Sequence, residues 1–275
     1  MRRCEFCDSP VSADAVICPV CREDIAEETL ERILPILRRP ETPEVRALGT
    51  IDRIWGTIRR PAPTYRDIGQ RPDFVGPFAV IIMNALIMAG VFLTISSKIT
   101  RTVYTNVTLR TTAEVSILSQ PDGLDYILTA LVSILPNIAI GMVYLIIGSA
   151  FAHLAMKVTG GTGNKGKTIS IVGYSMIPVL IFRLVGLLVL SLALPTYYLQ
   201  GPLDPGGLTQ IAIVDAVYTS SIWITLDYLM LISFVWVGFL LIFGIREAHD
   251  ASTAWAILVS IACVMVLMWT FIQVH

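Results

Sequence analysis

The chain has 275 residues, of which 55% are hydrophobic and only 15% are charged. Soluble domains carry about 25% charged residues, so this composition argues against a soluble enzyme. Its long apolar runs argue against a disordered chain. The net charge of −1 offers no overall electrostatic attraction for nucleic acid. The first 73 residues hold 12 of the 20 Lys and Arg residues and 13 of the 21 Asp and Glu residues, which predicts a small polar head on a large membrane-embedded body.

Four of the five cysteines form two C-x-x-C pairs in the head: Cys4, Cys7, Cys18 and Cys21. Two such pairs can place four thiolates at the corners of a tetrahedron, the geometry of structural zinc. So short a segment buries too little apolar surface to fold alone, so the metal would supply the folding energy. We therefore predict a zinc ribbon over residues 1–23. Iron in the same site is the less favoured alternative. Disulfides are disfavoured because the basic residues counted below place the head in the reducing cytoplasm.

Two amphipathic stretches follow the head. Apolar residues recur at helical spacing in residues 24–39, with acidic residues in the first turns. This predicts a short helix that packs on the ribbon or, alternatively, binds a partner or the membrane surface. Prolines and a glycine mark a linker up to residue 50. Ile51–Arg60 carries its isoleucines and Trp55 on one face, the pattern of a helix in the headgroup layer of a membrane. Its basic residues lie elsewhere: Arg53, Arg59 and Arg60.

Five apolar stretches are long enough to cross a hydrocarbon core of ~30 Å, which takes ~20 helical residues. They lie at about residues 74–96, 126–156, 169–194, 221–245 and 254–274. The first stretch begins far from the N-terminus and lacks a cleavage-type ending, so no removable signal peptide is expected. The predicted fold class is an all-α polytopic membrane protein. Its five transmembrane helices occupy residues 51–275 and follow a small zinc ribbon and a linker over residues 24–50.

Lys and Arg residues near the ends of the spans predict the orientation of the chain. With the head inside, 16 of these residues lie on the inner side and three on the outer side. We therefore expect a multi-pass protein of the cell membrane, with the head in the cytoplasm and His275 outside. The first outer loop, Lys98–Leu124, is expected to form a hairpin or to pack on the outer face. Its Asn106-Val107-Thr108 sequence makes Asn106 a candidate glycosylation site.

Two ionisable residues, Arg183 and Asp227, lie well inside the predicted spans. At a rise of 1.5 Å per residue, both fall ~9 Å below the outer edge of the hydrocarbon core. We therefore predict an Arg183–Asp227 ion pair that clamps the third and fourth spans together. The alternatives are a substrate or proton site, or Arg183 reaching outward alone. His153 and His249 have no partner at metal-ligand or triad spacing, so we interpret both as interfacial polar residues.

Gly161–Thr168 matches the G-x-x-x-x-G-K-T pattern of a phosphate-binding P-loop. A P-loop follows a buried strand and precedes a helix whose N-terminus helps to bind phosphate. Here apolar spans lie on both sides of the match, and no hydrophobic strand ending in Asp supplies a magnesium ligand. We therefore interpret the segment as a glycine-rich turn, with Lys165 and Lys167 near anionic headgroups. We find no other pattern typical of catalysis, so we predict that the protein is not an enzyme.

Several short motifs occur in a recognisable order: Trp55–Pro61, Tyr65–Ile68, His153-Leu154, Gly160-Gly161, Gly173–Pro178 and Gly244–His249. In this order, roughly residues 50–275 resemble the Yip1 family of five-span membrane proteins, in a prokaryotic, archaeal form with an added zinc ribbon. The resemblance implies a cytoplasmic N-terminus, five helices and a non-enzymatic role in membrane organisation. Eukaryotic relatives bind small Rab-type GTPases and act in vesicle transport between the endoplasmic reticulum and the Golgi. Only the topology and the adaptor character are carried over to this chain.

These observations favour a membrane scaffold that contacts the lipid bilayer and whose zinc head recruits an unidentified cytoplasmic protein. Tethering to the bilayer raises the effective concentration of the head near other membrane proteins. No nucleic-acid partner is expected, and the sequence leaves a homo-oligomer open. The alternative is a small-solute or ion transporter or channel that uses Arg183 and Asp227. Interrupted helices and buried charges often mark substrate sites in such proteins.

Overall fold

The computed structural model describes residues 2–4, 7–11, 18–21, 47–106, 111–199 and 215–274. The helix expected over residues 24–39 lies outside these residues. The chain divides into two compact units. The first comprises Met1–Val80, Val143–Pro178 and Phe234–His275, and the second comprises Ile81–Met142 and Val179–Ser233.

The head contains a short antiparallel pair of strands, β1 (Arg2–Arg3) and β2 (Pro10–Val11). Between them the chain turns tightly. The Cys4 backbone N–H donates to the Ser9 carbonyl at 2.9 Å, and the Asp8 N–H donates to the Cys4 carbonyl at 2.9 Å. Asp8 lies in the left-handed region at φ 54°, which Asp tolerates better than most residues.

The body begins with two ten-residue helices, and the rest of its described residues are mostly helical. The helices whose bounds lie within the described residues are α1 (Thr50–Arg59), α2 (Pro61–Gln70), α3 (Val75–Ser97), α4 (Gly123–Val158), α5 (Lys165–Ser175), α6 (Ile177–Ala193), α7 (Ser221–His249) and α8 (Thr253–Val274). In the part of the chain that the structure describes, five helical segments are long and apolar enough to cross a membrane: α3, α4, α5 with α6, α7 and α8. They confirm the predicted polytopic, all-α body.

The third span is interrupted between α5 and α6. The Asn164 side chain caps the start of α5 by accepting a hydrogen bond from the Lys167 N–H at 2.9 Å. Helix α5 ends before Met176, whose backbone N–H donates to the Gly173 carbonyl. Pro178 is then the second residue of α6, where a missing N–H costs little because first-turn N–H groups have no intrahelical acceptor. By contrast, α4 continues through Pro136.

A three-stranded sheet belongs to the second unit. Strand β3 (Ile99–Asn106) pairs antiparallel with β4 (Thr111–Ser116) and parallel with β5 (Tyr197–Leu199). The hairpin, one of the two arrangements expected for Lys98–Leu124, is therefore observed. Ile99 and Ile117 anchor it in an apolar cluster with residues from the helices of this unit. Asn106 ends β3, the rest of its sequon lies outside the described residues, and glycosylation there stays a prediction.

Candidate metal centre and the polar network at the helix ends

The four cysteines of the head converge on one point. Their sulfur atoms all lie within 4.8 Å of one another. The sulfurs of Cys4 and Cys21 are 3.6 Å apart, as are those of Cys7 and Cys18. Zn–S bonds of about 2.3 Å in a tetrahedron would separate the sulfurs by about 3.8 Å, whereas a disulfide bond is about 2.0 Å long. The four cysteines form no disulfide with one another and fit a four-coordinate ion, for which zinc and iron are both suitable.

The surroundings of Cys7 and Cys18 favour the thiolate form that a metal requires. Hydrogen bonds with the side chain and backbone of Ser9 lower the pKa of Cys7 to about 6. A hydrogen bond with the Cys21 backbone likewise lowers the pKa of Cys18. Cys4 and Cys18 are buried beside Val11. Four thiolates fill a tetrahedral site and leave no position for a substrate, so an ion here would hold the head together.

A second polar feature lies in the helical body and consists of Arg53, Asp67, Asp73 and Tyr174, which we call the arginine cluster. The Arg53 Nε is 2.8 Å from Asp67 Oδ2, and its Nη1 is 3.0 Å from Asp73 Oδ1. The Tyr174 hydroxyl donates to Asp73 Oδ2 at 3.1 Å. One guanidinium therefore joins α1 to α2 and to the start of α3, and Tyr174 adds α5 to the same cluster.

Arg53 keeps its charge although it is only 6% exposed. Burial alone would lower the pKa of Arg53, but the hydrogen bond with Asp67 and the charges of Asp67 and Asp73 outweigh this effect and raise the pKa. The sequence pattern indicated only that Arg53 lies away from the apolar face of its helix. Its two acidic partners lie 14 and 20 residues further along the chain, at spacings that do not indicate contact.

Three further contacts hold α2 against α5 and α7. The hydroxyls of Tyr65 and Ser175 are 2.7 Å apart, and Tyr65 is fully buried. Burial raises the pKa of Tyr65, so its hydroxyl remains protonated at neutral pH. The Tyr65 ring also lies against Gly244, where a side chain would collide with Ile171. Arg66, which follows Tyr65 in α2, has its Nε 3.6 Å from Glu247 Oε2 in α7.

Two histidines of the body, His153 and His249, meet at a threonine. His249 Nε2 is 2.9 Å from Thr168 Oγ1, and His153 Nδ1 is 3.3 Å from the same oxygen. The ring centroids are 5.6 Å apart. His249 is only 1% exposed, and the interpretation of both histidines as interfacial stays a prediction. Sequence spacing did not predict this contact, because it involves three helices. Thr168 is 15 residues from His153 and 81 residues from His249.

The glycine-rich loop between α4 and α5 packs on the end of α7. Gly161 donates its backbone N–H to the Met156 carbonyl at 2.7 Å, and Thr162 donates to the His249 carbonyl at 3.3 Å. The Lys167 N–H is bonded to the Asn164 cap. A P-loop keeps such N–H groups for phosphate, and here protein oxygens accept them. The segment before the loop is helix α4 rather than a strand, so the structure agrees with the interpretation as a turn.

We expect Gly163→Ala to destabilise the protein much more than Gly166→Ala. A Cβ at position 163 would collide with the Ala248 carbonyl and lie 2.7 Å from His249 Nδ1. Overpacking of this kind costs about 1–3 kcal/mol. A Cβ at position 166 would meet only ordinary contacts of 3.5 Å or more, and Ala favours a helix over Gly by about 1 kcal/mol. Thermal unfolding of the full chain in detergent measures both effects, and equal losses would contradict the packing role of Gly163.

Arg183 is half-buried in α6 and has a polar partner in another span. Its Nη1 donates to Asn84 Oδ1 of α3 at 3.1 Å. Sequence reasoning missed Asn84, although an amide in an otherwise apolar stretch was the available signal. Asp227 is half-buried in α7. The Arg183–Asp227 ion pair stays a prediction.

Five membrane-length helices behind a four-cysteine head define a polytopic membrane protein with an extramembrane cysteine-rich module. The family model of the Yip1 domain matches residues 55–274, so the chain belongs to the Yip1 family. No curated protein and no solved structure matches the chain. Proteins of the Yip1 family are generally membrane proteins without enzymatic activity. The matched residues exclude the cysteine head, which is therefore an addition to the family domain.

The motifs that carried the resemblance come together in the first unit. Tyr65 contacts Ser175 and Gly244, and His153 faces His249. These residues come from motifs that are far apart in the sequence. Tyr65, Ser175, Gly244 and His249 are buried. Tyr65 and Ser175 are hydrogen-bonded to each other, and both histidines are bonded to Thr168. Their arrangement supports a role in fixing the helix ends, because buried and mutually bonded polar groups specify packing.

Proposed function

We propose that this protein is a non-enzymatic membrane scaffold whose zinc-bound head recruits a cytoplasmic protein to the bilayer. The observation that carries the proposal is the convergence of four thiols in a module outside the matched family domain. A closed site of this kind supports folding and leaves the surface of the head for contacts with other molecules. The family domain supplies the membrane anchor.

The second cysteine pair presents an apolar tip that suits such a contact. Val20 is 66% exposed between Pro19 and Cys21, and Pro19 is exposed as well. Both residues lie on a turn whose geometry the metal would fix. A rigid apolar tip loses little conformational entropy when a partner covers it. This favours recruitment over a purely structural role for the head.

The cytoplasmic side is proposed for the head from the distribution of basic residues. The head and the loops on its side carry 16 Lys and Arg residues, and the opposite side carries three. Positive charge is retained on the cytoplasmic side of membrane proteins. Free thiols are also stable in that compartment, because it is reducing.

Transport is the second candidate function, and one observation favours it. Arg183 and Asn84 form a polar contact within membrane-length helices, at 3.1 Å. Charged side chains at such positions often belong to ion or substrate pathways. In this candidate function, Arg183 and Asp227 would take the leading roles and the head would be dispensable.

Affinity capture of the full chain from its native membranes tests the scaffold. We expect a partner protein that is present with the wild type and absent with both a head deletion and Cys4→Ser. Cys263→Ala is the matched control, because Cys263 is a buried thiol in α8 far from the head in sequence. This control should retain the partner.

The outcome of the capture separates the two functions. Loss of one partner in both head variants, but not in the control, supports recruitment through the metal-bound head. An identical set of captured proteins with and without the head contradicts recruitment. The transport function would then become the leading one.

A further inference from the structure

Helix α1 exposes two large apolar side chains and buries two polar ones. Ile51 is 81% exposed and Trp55 is 54% exposed, whereas Arg53 is 6% exposed and Thr57 is fully buried. A surface helix of a soluble protein has the opposite arrangement, with its apolar stripe towards the core. The outer face of α1 is therefore suited to an apolar environment outside the protein.

The arginine cluster fixes the level of α1 relative to the first span. Arg53 Nη1 lies 3.0 Å from Asp73 Oδ1, and Asp73 is two residues before the start of α3 at Val75. The first residues of that span are themselves exposed and apolar: Phe74 (57%), Val75 (67%) and Phe78 (47%). These side chains face lipid if α3 crosses the bilayer. Helix α1 therefore lies at the depth where the chain enters the membrane.

The exposed end of α1 carries positive charge next to an aromatic ring. The Arg59 guanidinium lies 4.5 Å from the centre of the Trp55 ring, and both Arg59 and Arg60 are exposed. Tryptophan prefers the headgroup region of a bilayer. Arginine forms paired hydrogen bonds with phosphate groups and stacks on aromatic rings. This end of α1 thus combines an interfacial anchor with two groups that bind phosphate.

We propose that α1 lies in the headgroup layer and binds anionic phospholipids through Trp55, Arg59 and Arg60. Continuity with the lipid-facing start of α3 favours the bilayer as the occupant of this face. The charge of the two arginines complements lipid phosphates. Ile51 and Trp55 then insert towards the acyl chains. The ion pairs of Arg53 with Asp67 and Asp73 hold the other side of the helix to the protein. This inference does not depend on a partner at the head.

Depth-dependent quenching of Trp55 tests the position of α1. The full chain and Trp55→Phe are reconstituted in bilayers of phosphatidylcholine and phosphatidylglycerol, with bromine on the acyl chains or with iodide in the water. The difference between the two proteins reports Trp55 alone. We expect brominated lipid to quench this difference signal and iodide to leave it largely unchanged. Quenching by iodide but not by brominated lipid overturns the proposal, because Trp55 would then face water or a soluble partner.

Retention of lipid tests the headgroup contact. Native mass spectrometry of the detergent-extracted protein compares bound phosphatidylglycerol with bound phosphatidylcholine. We expect Arg59→Gln and Arg60→Gln each to reduce the preference for phosphatidylglycerol by about fivefold, since one basic residue near an anionic surface contributes about that factor. Arg71→Gln is the matched control, an exposed arginine outside α1. An unchanged preference in the double variant overturns the anionic-lipid site even if Trp55 is quenched by lipid.

Discussion

Arg53→Met is expected to destabilise the helical body by about 3–5 kcal/mol, the usual cost of removing one partner from a buried ion pair. The substitution keeps most of the side-chain volume but leaves the Asp67 carboxylate buried without the guanidinium at 2.8 Å. Asp73 loses its contact at 3.0 Å but keeps the Tyr174 hydroxyl. The measurement is thermal unfolding of the full chain in detergent.

Two comparisons make the Arg53 result specific. Arg71→Met changes an exposed arginine in the same region and should alter stability by no more than about 0.5 kcal/mol. Adding Asp67→Asn to Arg53→Met should recover part of the loss, because it removes the buried negative charge. A loss for Arg53→Met no larger than that for Arg71→Met would contradict the structural role of the arginine cluster.

Cys4→Ser is expected to abolish metal binding and unfold the head while the helical body stays inserted. A hydroxyl is a poor replacement for a thiolate, and the free energy of metal binding is the folding energy of so small a module. Elemental analysis of the purified full chain should give one metal ion for the wild type and essentially none for the variant. Limited proteolysis should cleave the variant in the head alone.

The control for the cysteine prediction is again Cys263→Ala, which should keep the full metal content. Cys263 is buried in α8, where its thiol lies 3.7 Å from the Gly148 carbonyl. The absorption spectrum of the wild type distinguishes iron from zinc, since only iron thiolates are coloured. A Cys4→Ser protein that keeps both its metal and its protease resistance would contradict the four-thiol site.

Patterns that repeat within a short window were sufficient to predict much of this protein. The length of the apolar runs defined the five membrane-length helices. The two C-x-x-C pairs indicated a common site, and the structure brings their sulfurs within 4.8 Å. In each case the physical constraint acts locally, either on the thickness of a bilayer or on the turn between two ligands.

Contacts between distant segments could not be predicted from the same patterns. Nothing in Ile51–Arg60 indicates that Arg53 meets Asp73, because that contact depends on how α1 and α2 fold back on α3. The Thr168 hydroxyl joins His153 to His249 for a similar reason. Gly161 and Gly163 lie within a match to a nucleotide motif, whereas the structure shows that the end of α7 occupies the space of their absent side chains. The partners of the backbone N–H groups therefore distinguish a chance match to this motif from a phosphate-binding loop.

The arginine cluster also determines how a mechanical load passes through the chain. Arg53 is bonded to Asp67 in α2 and to Asp73 in the short connection between α2 and α3. The guanidinium holds α1 to both segments, so α1 cannot rotate relative to the first span without breaking two ion pairs. A pull on the chain before Thr50 is therefore transmitted to the base of the first span as a torque. Tension applied to the head would therefore reach the membrane-embedded helices through these ion pairs.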